Sequence, residues 1–337
     1  MTDPFTFSIR LNNDRPIEDY VALARRAEAL GFDQFWVSND LFLKSAPVIL
    51  SAVAGATTRI GIGTAILNPY TMNPAEIGML AATLDELSGN RFHLGLAAGA
   101  REFIAWVGVD YRTPLAAVRE SVAAIRRLLR GEAGVEATTL PWTRDSYLRF
   151  RAPRVTPIYI GAMSPKMLRL SGEIGDGALP LLLPPEHYFT VRPIVEEGVK
   201  DREPGLGAFD LACCIWVSLS RDSNAARRAL AEKIAYYGSA LSPLILERLS
   251  LTREDFAIIE RAVTEERDMD EASSLVDERM LRIGVVGGAK EVIQRLEPLV
   301  AAGARHLSFG PPLGPDPLEA VEILGREVLP YFSTRRS

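Results

Sequence analysis

The 337-residue chain has only two cysteines and three histidines, so disulfides and metals are not the expected means of holding it together. A chain this long buries a sufficient apolar core without them. Cys213 and Cys214 are neighbours in sequence. On a strand they point to opposite faces, which disfavours a disulfide between them. His93, His187 and His306 are far apart and not at ligand spacing, which argues against a metal site. Long apolar runs are missing too. The densest, Leu211 to Val217, has strand length, far from the ~20 residues of a membrane span. Basic excess is absent: 38 Lys and Arg stand against 43 Asp and Glu, a formal charge of −5. That leaves no footprint for replacing counterions on nucleic acid. The start, Met-Thr-Asp-Pro-Phe, lacks the basic and apolar regions of a secretory signal, so a cytoplasmic location is expected. There is no Gly-x-Ser-x-Gly elbow and no Walker loop.

What the chain does have is alternation. Strand-like runs stand at Phe5–Arg10, Gln34–Val37, Arg59–Ile66, Arg91–Leu96, Ile158–Ile160, Gly177–Leu182, Asp210–Leu219 and His306–Phe309. Helical periodicity separates them, over Ile17–Leu30, Pro47–Ala56, Pro74–Leu87, Pro114–Arg130, Pro165–Gly172, Pro185–Lys200, Ser223–Glu247 and Lys290–Ala302, with a last helix at Leu318–Val328. Eight such units without a composition break predict an α/β fold, a single (β/α)8 TIM barrel spanning residues 1–337. An open doubly wound sheet is the competing architecture. Three stretches exceed a minimal barrel: Arg101–Thr113 after the fourth strand, Gly131–Thr156, and Ser250–Arg282 after the seventh. The last is charged and reads as a helical insertion.

Active sites of such barrels lie at the C-terminal strand ends. That rule selects Arg10 and Asn12, then Ser38, Asn39 and Asp40, then Ala65 to Tyr70, Ala97 to Glu102, and Gly161, Ala162, Met163 and Ser164. Gly61-Ile-Gly63 is an incomplete dinucleotide fingerprint and fits better a strand approached closely by another group. Gly287-Gly288 before a helix reads as an anion site or as a plain helix entry. In Gly161-Ala-Met-Ser-Pro-Lys166 a strand runs into a helix start, whose free N–H groups suit a phosphate; an ordinary capped helix explains the pattern as well.

Three long motifs carry a family resemblance: Arg59-Ile-Gly-Ile-Gly-Thr-Ala-Ile-Leu-Asn-Pro-Tyr70, Ala81-Ala-Thr-Leu-Asp-Glu-Leu-Ser-Gly89 and His93-Leu-Gly-Leu-Ala-Ala-Gly99. With Pro157 to Leu168, Gly172 to Ala178, Ala212-Cys-Cys214 and Leu313 to Asp316, the chain resembles the luciferase-like monooxygenase superfamily. The nearest likeness is to its deazaflavin (coenzyme F420)-dependent branch, methylenetetrahydromethanopterin reductase above all. The resemblance implies a barrel with a planar ring across its mouth and a tail phosphate near Gly161–Ser164. It implies a bulged third strand with a non-prolyl cis peptide at Ala65-Ile66. Asn68 and the Ala97, Ala98 and Gly99 backbone would line the ring's edge, with Ser38 beside the cofactor. The implied chemistry is hydride transfer at the ring's C5.

The departures from that pattern bear on substrate. Where the pterin reductases carry a glutamate ending the first strand, this chain has Arg10. Where they have an acid after the glycine of the fourth strand, it has Ala100, and their Thr-Asp-His is Ser38-Asn39-Asp40 here. Arginine does not act as a general acid at ordinary pH. Asp40 is therefore the candidate for proton handling, Asn39 stands beside it, and Arg10 suits an anionic group of substrate or cofactor. The expected activity is an F420-dependent oxidoreductase acting on a small molecule other than the pterin. An FMN-dependent monooxygenase and a non-catalytic flavin-binding paralogue are the alternatives. A homo-oligomer, most simply a dimer through the Tyr70–Leu87 region, is expected, with Arg101–Thr113 and Ser250–Arg282 building the substrate pocket.

Overall fold

A computed structural model of the chain describes residues 4–133, 139 and 145–334. Its strands are β1 (Thr6–Leu11), β2 (Gln34–Val37), β3 (Gly61–Thr64), β4 (Phe92–Leu96), β5 (Ile158–Gly161), β6 (Gly177–Leu179), β7 (Asp210–Leu219), β8 (Val285–Gly287) and β9 (His306–Leu313). All pair in parallel. The ring runs β1 through β7 and then β9, which returns to β1, so eight strands close a barrel. Strand β8 lies outside the ring and pairs only with the Val217–Leu219 end of β7.

Side-chain alternation sorts each strand. Along β1, Phe7, Ile9 and Leu11 join the large core shared with the helices, whereas Ser8 and Arg10 turn into the barrel. Trp36 and Tyr159 fill the interior edge to face, with centroids 5.1 Å apart, against Ala65, Leu179, Ala212 and Cys214. Gly63 has the close neighbour its sequence context implied: any side chain there would collide with the Trp36 indole. Cys213 belongs to the outer core and Cys214 to the interior, and both are free thiols.

A polar layer closes the N-terminal half. His306 Nδ1 meets Asp210 Oδ2 at 2.7 Å and its Nε2 meets Ser8 Oγ at 2.8 Å, while the Tyr159 hydroxyl donates to the same Asp210 oxygen at 2.8 Å. Burial alone would raise the Asp210 carboxyl; His306 and Tyr159 outweigh it and hold the group below its ordinary range. His93 packs against Trp36 and Tyr159, and burial, aided by the Arg154 charge, lowers it to about 4. It is a neutral core imidazole.

Several expected boundaries are corrected. The third strand does not reach Ile66: its ladder ends at Thr64, the Ala65–Ile66 peptide is cis, and pairing resumes at Leu67 opposite Leu96. The sixth strand stops at Leu179 rather than Leu182 because Pro180 has no N–H to continue the ladder. The long helix from Ser223 ends at Tyr237, where Gly238 lets the Phe256 ring approach, and a separate helix runs over Pro243–Leu249. The last barrel strand extends to Leu313 through its pairing with β7. After Val328 the chain continues in a further helix, Leu329–Thr334.

Within 250–282, helices cover Ala257–Arg261, Met269–Ser274 and Glu278–Leu281. With Ser223–Tyr237 and Pro243–Leu249 they form a second apolar core seated on Leu182 and Trp216. In the 131–156 stretch, residues 134–138 and 140–144 lie outside the described residues.

Candidate active site

The barrel mouth has two unlike sides. Over β3, β4 and β5 it is lined by small residues and backbone. Ala65 and Ala97 are 7% and 9% exposed, and Gly161 on β5 leaves room for Ala97 and Ile66 against its backbone. A methyl group on Gly161 would stand 2.9 Å from Ala97 Cβ and 3.1 Å from Ile66 Cγ2. Gly99 has φ +78°, and a side chain there would press on Ile104 and Asn68. Asn68 is buried, and its Oδ1 accepts from Thr71 N at 2.9 Å, Thr71 Oγ1 at 3.0 Å and Tyr70 N at 3.2 Å, pinning the turn after the bulge. Ala98 and Ala162 are buried, Met163 is half-buried against the second core, and Ser164 accepts from Met167 N as N-cap of the helix Pro165–Ile174.

The opposite side, over β1, β2 and β7, is charged. Arg10 is buried and donates through Nη1 to the Leu181 carbonyl at 3.2 Å. Asp40 is half-buried, and burial raises its carboxyl above the usual range, opposed by the Lys233 charge and reinforced by Asp14. The Asn13 side chain holds the Asp40 backbone from both sides, Oδ1 accepting from its N–H at 3.2 Å and Nδ2 donating to its carbonyl at 3.0 Å. Lys233 reaches in from the helix Ser223–Tyr237, its Nζ 4.1 Å from the Tyr237 ring and 5.3 Å from Trp216. Burial lowers it to about 8, and raises Tyr237 to about 12.

The sequence-selected residues thus divide. Arg10 and Asp40 share the charged side; Ala65, Ile66, Asn68, Ala97, Ala98, Gly99 and Gly161 share the small-residue side. Asn39 turns back from the mouth, its Oδ1 accepting from Ala46 N at 3.0 Å. Ser38 is half-buried, with its N–H given to the Leu11 carbonyl. Arg101 and Glu102 are both exposed, and the Arg101 guanidinium lies over the Tyr111 ring at 4.9 Å. Sequence reasoning missed Lys233 and Asn13. The polar run Asn12-Asn13-Asp14 just past a strand end was a usable signal; Lys233, inside a helix, gave none.

This geometry can be set beside known proteins. The model of the luciferase-like monooxygenase family matches residues 1–306. The chain belongs to this family. Among its relatives, a 5,10-methylenetetrahydromethanopterin reductase of Archaeoglobus fulgidus is 30% identical over 93% of this chain and 95% of that protein. An F420-dependent glucose-6-phosphate dehydrogenase of Amycolatopsis mediterranei is also 30% identical, over 93% of each. The solved coenzyme F420-dependent tetrahydromethanopterin reductase of Methanopyrus kandleri superimposes with a TM-score of 0.89 at 28% identity, covering 98% of this chain and all of that one. A long-chain alkane monooxygenase at 14% identity, TM-score 0.74, shares the fold. This luciferase-like protein is an enzyme of a family that includes F420-dependent oxidoreductases. Among its described residues, no helix is long and apolar enough to cross a membrane.

Proposed function

We propose that the protein is an F420-dependent oxidoreductase that moves a hydride between the deazaflavin C5 and an organic substrate other than methylenetetrahydromethanopterin. The observation that carries this reading is the small-residue floor, Ala65–Ile66, Ala97 and Gly161 edge to edge, in a chain 30% identical to an F420-dependent dehydrogenase. A flat ring fits such a floor without displacing a side chain. When bound, the deazaflavin supplies a two-electron hydride carrier.

The protein's own residues do the rest. Ala65, Ile66, Asn68, Ala97, Ala98 and Gly99 hold the ring, with Ser38 at the facing strand end. Gly161, Ala162, Met163 and Ser164 lead into the N–H groups opening the helix Pro165–Ile174, which suit the tail phosphate. Asp40 keeps a proton on its carboxyl to higher pH than an exposed aspartate, which suits it to exchange the proton that accompanies the hydride. By the motif resemblance, Arg10 and Ala100 occupy positions at which the pterin reductases carry acids, so the group expected to protonate the pterin is lacking. That is the reason for excluding the pterin as substrate. The reading carries with it a cytoplasmic homodimer, for which Met79 and Leu87, both exposed on the helix Pro74–Ser88, offer an apolar face.

Fluorescence titration of cofactor-free protein with F420 and with FMN tests the reading. Tight binding of F420, with FMN at least tenfold weaker, is the expected result. The reverse order would move the protein to the oxygen-using FMN enzymes, and binding of neither would make it a non-catalytic paralogue.

A further inference from the structure

The charged side of the mouth holds a cation whose hydrogen bonds the protein does not complete. Arg10 is 5% exposed, and apart from the Nη1 bond to Leu181 its nitrogens Nε and Nη2 are buried without a partner. Nη2 packs against the backbone of Gly310, where any side chain would collide with the guanidinium. Gly310 on β9 is the register partner of Trp216 on β7, and Lys233 Nζ stands 5.3 Å from the Trp216 ring. Arg202 also has two buried, unpaired nitrogens, but it lays its guanidinium over the Phe209 ring at 5.2 Å. No ring covers Arg10 among the described residues. A guanidinium cannot shed its charge on burial, so unpaired donors at this place await an acceptor.

We propose that Arg10 and Lys233 bind the carboxylate of the substrate, a flat organic acid whose body lies against Trp216 and Tyr237. The inference deepens the oxidoreductase reading and rests on it. The planar fork of Arg10 matches the two oxygens of a carboxylate, and Lys233 adds a second positive charge. The charges of Asp40 and of the exposed Asp14, on the segments that follow β2 and β1, act on Lys233 and on Tyr237 of the same helix. Two acids against two bases leave little net field, so a monoanion is favoured over a dianionic phosphate. Burial, with the Arg10 charge added, brings Lys233 to about 8 against the pull of Asp40 and Asp14. Carboxylate affinity therefore falls as the pH passes that value.

The test titrates cofactor-free protein with benzoate, its neutral isostere benzamide, and inorganic phosphate, by calorimetry and tryptophan emission. Benzoate should bind at least tenfold tighter than either. Arg10→Met and Lys233→Met should each lose that preference, Arg10→Lys should recover part of it, and the loss of affinity above about pH 8 should vanish in Lys233→Met. Melting temperatures establish that the variants are folded, and Lys233→Met, at a half-buried helix position, gives a second route if Arg10→Met fails to fold. Equal binding of benzamide or phosphate, or full benzoate affinity in both methionine variants, would overturn the proposal. So would competition between F420 and benzoate, or loss of F420 affinity in Arg10→Met, since Arg10 would then serve a carboxylate of the cofactor. Failure of F420 to bind at all, with benzoate preference intact, would instead strike the cofactor reading.

Discussion

At the N-terminal end of the barrel, Asp85 is fully buried and accepts from Arg154 Nε and Nη2 at 3.0 and 2.9 Å, from Phe92 N at 3.2 Å and from the Thr156 hydroxyl. At the C-terminal end, Arg10 is almost as buried and makes one hydrogen bond. The first charge was taken out of water together with its partners and ties the entry of β4 to the segment before β5. The second was taken out of water without them. Burial of an ion is tolerated only when its hydrogen bonds are satisfied, so the same physics yields structure at one end and a demand for a ligand at the other. Asp40 and Lys233, both shifted by burial and both at the mouth, belong with Arg10.

That contrast can be broken or sharpened by substitution. Asp40→Asn should have the largest effect: turnover falls by roughly 10²–10⁴-fold, the range of a lost acid–base group. The pH–rate profile should also lose the limb that Asp40 places above the ordinary aspartate range. Retention of full turnover would remove Asp40 from the mechanism. Asp85→Ala comes next, taking the carboxylate from Arg154 and the acceptor from the Phe92 N–H and the Thr156 hydroxyl, and costing about 3–5 kcal/mol in denaturant unfolding. Arg10→Met should then stay within about 1 kcal/mol of the parent or gain stability, because an apolar side chain replaces a charge the fold does not pair. A loss as large as that of Asp85→Ala would erase the difference between the two ends.

The smallest effect concerns Lys233. Its folded pKa, about 8, lies below the unfolded value near 10.4, so between these pH values the unfolded chain holds a proton that the folded chain has released. Stability of the parent relative to Lys233→Met should therefore rise with pH across that window, and a flat difference would place Lys233 in water.

The architecture was legible because burial forces periodicity. Gln34–Val37 and Asp210–Leu219 were bounded correctly from their apolar and β-branched runs, and the alternation with helices led to the closed barrel. The family motifs led to the Ala65–Ile66 cis peptide, where periodicity alone ran the third strand straight through. Strand β8 was not legible: three residues, Val285–Gly287, pair with one edge of β7 and carry no alternation of their own. Within the site, residue type showed which side chains stand at strand ends but not which way they turn. Asn39 and Asn13 look alike in sequence, yet one binds the Ala46 N–H and the other frames Asp40. Lys233 was hidden because a lysine in a helix reads as a solvated face until another element folds over it.

The most direct measurement is a crystal structure of the protein with F420. The account predicts the deazaflavin ring over Ala65–Ile66 and Ala97, its phosphate at the start of the helix Pro165–Ile174, and its substrate-facing side open toward Arg10, Asp40 and Lys233. A ring seated elsewhere in the mouth, or a phosphate bound at Arg10 and Lys233, would contradict it.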